Sequence, residues 1–271
     1  MSFSYNTSDG TLIIKRREKI TEISRIFLGI TLFFRRRTRG HFPVSNLYES
    51  FLFLTFFFIC FILTFQKTNF SFSLRDKKNI KYLKLFNKLI NSIVSIFPVF
   101  FLGFASFCLP IELQKRTPLI PALKSNWLFI HASVILLAYA GLIIGSLISI
   151  IFLIINEWKL FNKPWFVSFL EKLDEISYRF ILFSYPFLNL GILSGAVWAN
   201  ETWGSYWNWD PKEVWSLITW LIFAAYLHER LLIKKKGKRA AFLARGGFRR
   251  VWITFLGVNI LGKGLHSYGW F

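Results

Sequence analysis

Cysteine is nearly absent: the 271 residues hold two, Cys60 and Cys108, and no Cys-x-x-Cys pair. Each lies in or beside an apolar stretch, which disfavours thiol–disulfide chemistry of the thioredoxin type. Acidic residues are scarce as well, 14 against 34 Lys and Arg, for a formal charge of +20. In a soluble domain that excess would point to nucleic acid. Here it falls in short runs between apolar stretches, and no basic amphipathic helix with stacking aromatics stands apart from them. The charge therefore argues against a nucleic-acid partner and reports orientation in a membrane. A cleavable leader is missing: Met1–Thr11 is polar, and the basic run Lys15–Lys19 precedes only a weak apolar segment. Insertion is expected to rest on internal spans. No soluble domain and no clear internal repeat can be found. Histidine is rare too, with His41, His131, His228 and His266 the whole supply.

What abounds is apolar and aromatic: 54% of the residues are hydrophobic and 20% aromatic, with 33 Phe and 11 Trp. That mixture suits a polytopic membrane protein rather than a single soluble core. The candidate spans are Leu47–Phe65, Ile90–Pro110, Trp127–Asn156, Tyr178–Val197, Val214–Ile233 and Trp252–Leu265. Ile23–Phe34 is short against the roughly 20 residues a crossing needs, and Arg35-Arg36-Arg37 closes it. Residues 1–40 thus read as a divergent, weakly hydrophobic segment: a stunted helix, an interfacial helix or a poorly inserted remnant. They precede a membrane domain at 41–271. The expected fold is all-α, a polytopic transmembrane bundle of about six to seven spans.

Ala138, Ala140, Gly141, Gly145 and Ser146 predict close helix packing along the longest apolar run. Glu157–Arg179 is charge-balanced and reads as a surface helix. The basic loops Gln66–Lys88 and Lys234–Arg250 belong on the cytoplasm-like side. Counting spans outward, His41, the loop Ile111–Asn126, a tryptophan-rich loop at 198–213 and the C-terminus then face the opposite compartment. Only Arg35–Arg39 runs against this assignment.

The most informative stretch is Trp203-Gly204-Ser205-Tyr206-Trp207-Asn208-Trp209-Asp210-Pro211-Lys212-Glu213. Tryptophan sits well where one end is apolar and the other wet. An interfacial belt scatters one or two rings per helix end, whereas Trp203, Trp207 and Trp209 cluster with Gly204 and Asp210. A binding surface for a large, flat, apolar ligand is the better reading. Pro211 ahead of an apolar helix also fits a helix start, with Asp210 as its cap.

The stretch closely resembles the tryptophan-rich signature of the haem-handling superfamily. The wider string Ala196–Trp220 looks like its plastid CcsA branch of cytochrome c maturation, as does His41-Phe42-Pro43-Val44-Ser45-Asn46-Leu47-Tyr48-Glu49-Ser50. The family has fuller spans ahead of this second motif, so the N-terminus departs from the pattern.

Haem iron accepts imidazole from above and below. His131, a few residues inside Trp127–Asn156, and His266, at the end of the last span, fall at one membrane level and can flank a macrocycle on the tryptophan loop. They also match the family's two external histidines. His228 lies about 14 residues into its helix, roughly 21 Å down, nearer the basic side. It resembles the family's intramembrane histidine, although Glu229 and Arg230 leave an interfacial cluster as an alternative. The resemblance implies a second ligand from a CcsB-type membrane partner. His41 has no clear role, with a structural one ahead of an accessory ligand. Asp210 could orient an imidazole or fix the turn.

By resemblance the protein handles b-type, non-covalently bound haem in transit and attaches it to apocytochromes c such as cytochrome f, in the plastid thylakoid membrane. It would belong to a cytochrome c synthase complex that acts by positioning, with no catalytic acid, base or nucleophile of its own. Two other readings remain: a haem channel whose partner does the attachment, and a structural membrane subunit.

Overall fold

Inside a bilayer the backbone polar groups have no water to bond, and helices satisfy them internally. The long apolar stretches here all take that form. The computed structural model describes residues 7–75, 80–115, 119, 121–157, 164–261 and 264–266. In chain order these form α1 (Thr7–Arg39), α2 (Leu47–Arg75), α3 (Ile80–Gly103), α4 (Asn126–Glu157), α5 (Pro164–Trp203), α6 (Pro211–Leu231), α7 (Lys238–Trp252) and α8 (Val258–Leu261). A π-turn, Phe104–Cys108, extends α3, and a second, Ile253–Gly257, joins α7 to α8. Among the described residues there is no strand. Among those residues four helical stretches are long and apolar enough to cross a membrane: Leu47–Lys67, Ile90–Cys108, Asn126–Glu157 and Phe166–Trp203. The chain is an all-α polytopic bundle, as its composition predicts.

The axis of the bundle is α4. It is buried on every side from Ala138 to Ser149, and a helix apolar all round belongs in the interior. It packs most extensively on α5, with α7 and α2 on its other flanks. Along the α4–α5 seam Ser177 Oγ donates to the Gly145 carbonyl at 2.8 Å and lies 2.5 Å from Ser149 Oγ. Side chains this small let two backbones approach closely, so the predicted close packing is realised.

Several boundaries differ from expectation. The surface helix at Glu157–Arg179 and the span Tyr178–Val197 are parts of one helix, α5, with Pro186 inside it. Asp174 is buried there and pairs with Arg230 of α6, whose guanidinium also sits 4.7 Å from the Tyr178 ring centre. A charge paired in this way need not leave the interior, so the helix continues through the polar stretch. The basic stretch Lys234–Arg250 is mostly helix α7 rather than loop. Ala240, Ala241, Ala244 and Gly247 make a small-residue face buried against the bundle, and the basic residues occupy the remaining faces. The tryptophan loop is shorter than 198–213: only residues 204–210 lie outside helices. At the other end of the chain α1 runs far beyond Ile23–Phe34. Its Leu28 and Leu32 pack on Leu52, Ile59 and Leu63 of α2, while Ile23, Phe27, Ile30 and Phe34 face outward.

The chain reversals gather at two ends. At one, Lys238 Nζ pairs with Glu157 at 2.8 Å. At the other, segments 40–46, 111–115, 121–125, 204–210 and 264–266 are tied to one another and to helix ends. Asn46 Nδ2 donates to the Leu113 carbonyl at 2.9 Å, Trp198 Nε1 to the Ala122 carbonyl at 3.1 Å, and Arg39 to the Gln114 carbonyl. The fully buried Glu49 anchors this end, accepting from Arg39 at 2.7 Å and from Ser45 Oγ at 2.8 Å. His41, His131, the tryptophan loop and His266 thus share one end of the bundle.

Candidate functional site

The site starts from a helix cap. Asp210 Oδ2 accepts the Lys212 backbone N–H at 3.1 Å, while Glu213 Oε2 accepts from the backbone of Asp210 at 3.2 Å and of Asn208 at 2.8 Å. With Pro211 at the first helical position this is a complete capping box. Asp210 does more than cap. Its Oδ1 accepts the Leu265 N–H at 2.5 Å, and its Oδ2 lies 2.8 Å from His266 Nδ1. A single buried carboxylate therefore starts α6 and also seizes the C-terminal turn. Gly264 allows the approach: it sits at φ +113°, and a Cβ there would collide with the carboxylate. Burial pushes the Asp210 carboxyl up, but the His266 ring and the two backbone N–H groups outweigh it and hold the group below its ordinary value.

His131 is oriented by helix packing instead. Its Nδ1 lies 2.7 Å from the Gly191 carbonyl on α5. Gly195, one turn on, leaves room for the ring, since a Cβ there would stand 2.7 Å from it. A carbonyl only accepts, so Nδ1 carries the proton and Nε2 keeps its lone pair. The carboxylate of Asp210 imposes the same arrangement on a neutral His266. Both rings face one cleft, lined also by Trp198, Trp207, Lys212 and Glu213. Trp198 links them: it stacks on His131 at 6.1 Å and 11°, and meets His266 edge-on at 5.5 Å. Trp203, closing α5, touches His266 at 4.8 Å and Trp198 at 4.9 Å.

The cleft measures about 170 Å³ and is partly open. That is below the ~300–1,000 Å³ of pockets that enclose a ligand, so a large flat molecule would be gripped along one part and left projecting. The donor set suits haem: two imidazoles with free Nε2 atoms, indole walls, and a lysine ammonium within reach of an acidic edge. Among the described residues no three His, Cys, Asp or Glu side chains gather as a bare metal ion requires.

Of the residues singled out from sequence, His131, His266, Trp203, Trp207 and Asp210 come together here. Gly204, at φ +77°, turns the chain out of α5. Trp209 does not join them: at φ +56° it swings its ring outward, 71% exposed, against the edge of Trp207. His228 lies exposed near the far end of α6, one turn from its close at Leu231. His41 borders a second cavity of about 740 Å³, which shares Val44, Ser45, Leu123 and Leu128 with the cleft. Its Nδ1 faces the Phe42 carbonyl at 3.0 Å. Sequence reasoning missed Trp198, Lys212, Glu213 and Asn259 as parts of the site. For Trp198 the only signal was an indole one turn and a half before Trp203.

Comparison with known proteins bears on the same residues. The chain matches the family described as cytochrome C assembly protein over residues 44–266, from just before α2 to the second histidine of the cleft. It is 47% identical over 253 residues to a cytochrome c biogenesis protein CcsA of Chlamydomonas reinhardtii, covering 92% of this chain and 67% of that one. A protein of the same name from Porphyra purpurea is 44% identical over 290 residues, covering 93% and 86%. One from Guillardia theta is 46% identical over 270 residues, covering 92% and 84%.

Proposed function

Because the chain belongs to the cytochrome c assembly family and serves c-type cytochrome biogenesis as a membrane protein, we propose that it holds haem between His131 and His266 and presents it to apocytochromes c for attachment. The observation that carries this reading is the pair of imidazoles. Each has its Nδ1 committed to an oxygen of the protein, at 2.7 and 2.8 Å, and each turns into the same cleft. A ring fixed through Nδ1 is a pre-oriented and more basic axial ligand through Nε2.

The bound haem, b-type and non-covalent, supplies the iron and the vinyl groups; the protein supplies their position. Trp198 and Trp203 wall the rings, and the half-open cleft leaves a macrocycle edge outside. A thiol of the apocytochrome's Cys-x-x-Cys-His segment adds across a vinyl C=C bond. The S–H bond breaks while an S–C and a C–H bond form, so no oxidant is consumed. The segment's histidine takes over one axial position. His266 is the ring suited to yield, because it rides on a turn, whereas His131 stands within α4 and is packed against α5. Catalysis here is orientation of two reactants.

Delivery begins at the other end, where His228 offers one axial imidazole and a CcsB-type membrane partner the second. The setting is the plastid thylakoid membrane, with the cleft toward the lumen and cytochrome f among the products. The test is the absorption spectrum of the chain purified with its membrane partner, as wild type, His131→Gly and His266→Gly, with and without imidazole. A bis-imidazole haem spectrum weakened in each variant and restored by imidazole is expected. An unchanged spectrum in both variants would dismiss the site.

A further inference from the structure

We propose that Lys212 is the anchor for a haem propionate, and that this contact fixes which edge of the macrocycle faces out of the cleft; the proposal rests on the haem-holding reading above. Lys212 stands on the first turn of α6 and lines the same cleft as His131 and His266. Its Nζ donates to a neutral amide oxygen, Asn259 Oδ1 on α8, at 2.9 Å. Among the described residues it forms no ion pair, and an ammonium has three donors to place. An inward-turned cation without a carboxylate partner is costly unless something with negative charge arrives.

The carboxylates nearby are already engaged. Asp210 serves His266 and two backbone N–H groups, and Glu213 Oε2 serves the N–H groups of Asn208 and Asp210. Asn259 is itself locked, its Nδ2 donating to the Phe255 carbonyl, which aims Oδ1 at the lysine and holds the ammonium in place. Glu213 adds the directional element. It is 9% exposed, lines the cleft, and its Oε1 has no hydrogen-bond partner. That unpaired oxygen repels any propionate that does not meet the ammonium first. The acidic edge of the macrocycle is therefore drawn to the α6–α8 wall at Lys212. The vinyl-bearing edge is left toward the opening, where the thiols of the apocytochrome arrive.

The experiment compares iron protoporphyrin IX with its dimethyl ester, titrated into the full chain purified with its membrane partner and stripped of haem. Binding is read from the bis-imidazole spectrum. Wild type should prefer the free acid by about tenfold to a hundredfold, the range of a charge-assisted hydrogen bond. Lys212→Met should bind both forms alike, with the bis-imidazole bands intact, and Lys212→Arg should recover part of the preference. Intact bands in the Met variant show that the fold and the axial pair survive. Equal binding of acid and ester by wild type, or a preference that persists in Lys212→Met, overturns the assignment while leaving the His131–His266 site standing. Bands that survive both His131→Gly and His266→Gly overturn the site and this assignment together.

Discussion

The two ends of the bundle that carry candidate haem ligands are built to different degrees. At the cleft, each imidazole is held by a protein oxygen, and indoles pack on both rings. At the far end, His228 stands exposed on α6, followed by Glu229 and the buried Arg230. A ring without a hydrogen-bonded partner spends rotamer freedom when it binds a metal, whereas a ring already held does not. On the haem-holding reading proposed above, the cleft draws both of its axial imidazoles from this chain, while His228 offers one. On that reading the difference would separate a place where haem waits and reacts from one it passes through.

The sharpest way to break this comparison is at Asp210, which gives the cleft its preorganisation. Asparagine caps helices as well as aspartate does, so Asp210→Asn should preserve α6. It has only one acceptor oxygen, however, and cannot serve both Leu265 N–H and the pair at Oδ2. Haem affinity at the cleft should fall about 10- to 100-fold, the usual cost of losing a partner behind a metal-bound histidine. The variant also alters the response to acid. Because the folded carboxyl lies below its ordinary value of 3.8, its contribution is fully present above that value and is lost as pH falls through the lower, folded value. Wild type should thus release the C-terminal turn only below about pH 4, while Asp210→Asn shows no such acid limb. Haem affinity by titration and proteolysis of the C-terminus across pH 2–6 check both statements. Undiminished affinity would mean that His266 needs no such holder.

His228→Ala probes the incomplete end and should act on supply alone. Haem added to the detergent-solubilised protein should bind at the cleft with affinity within about twofold of wild type, the scatter of a distant, uncoupled substitution. Haem acquired during growth in the membrane should fall severalfold or more. A matching loss for added haem would show that the two ends are one site or are tightly coupled.

How far the sequence foretold this arrangement depends on whether the signal was local. The span Trp127–Asn156 matches α4 to within a residue at each end, because a continuous apolar run allows no other reading. His131, His266, Trp203 and Asp210, which the structure brings together, were singled out by their motifs. The boundaries of α5 and α7 were not legible, since charge was read as a separate surface helix at Glu157–Arg179 and as loop at Lys234–Arg250. What keeps Asp174 inside is Arg230, 56 residues away, and what makes α7 a packed helix is a face of alanine and glycine that hydropathy barely registers. Trp198 lies inside a helix and gains meaning only when α4 brings His131 beside it. The outward turn of Trp209 is set by its left-handed backbone, which no residue pattern announces for a tryptophan.

That outward turn supplies the smallest predicted effect and a direct check on which tryptophans hold the ligand. Trp203 touches His266, and Trp203→Ala should weaken haem binding by about 1–3 kcal/mol through lost ring packing and a freed imidazole. Trp209 is 71% exposed and meets the edge of Trp207. At φ +56° it occupies the region that glycine takes at no steric cost. Trp209→Gly should therefore leave haem affinity within about 0.5 kcal/mol of wild type, with thermal stability unchanged or raised. Haem titration and a melting curve on the two variants side by side separate the cases. Equal losses of affinity would show that the loop closes on its ligand and carries Trp209 inward. The cleft would then be an open state of a site that all three tryptophans complete, and the indole wall would extend from Trp198 to the first turn of α6.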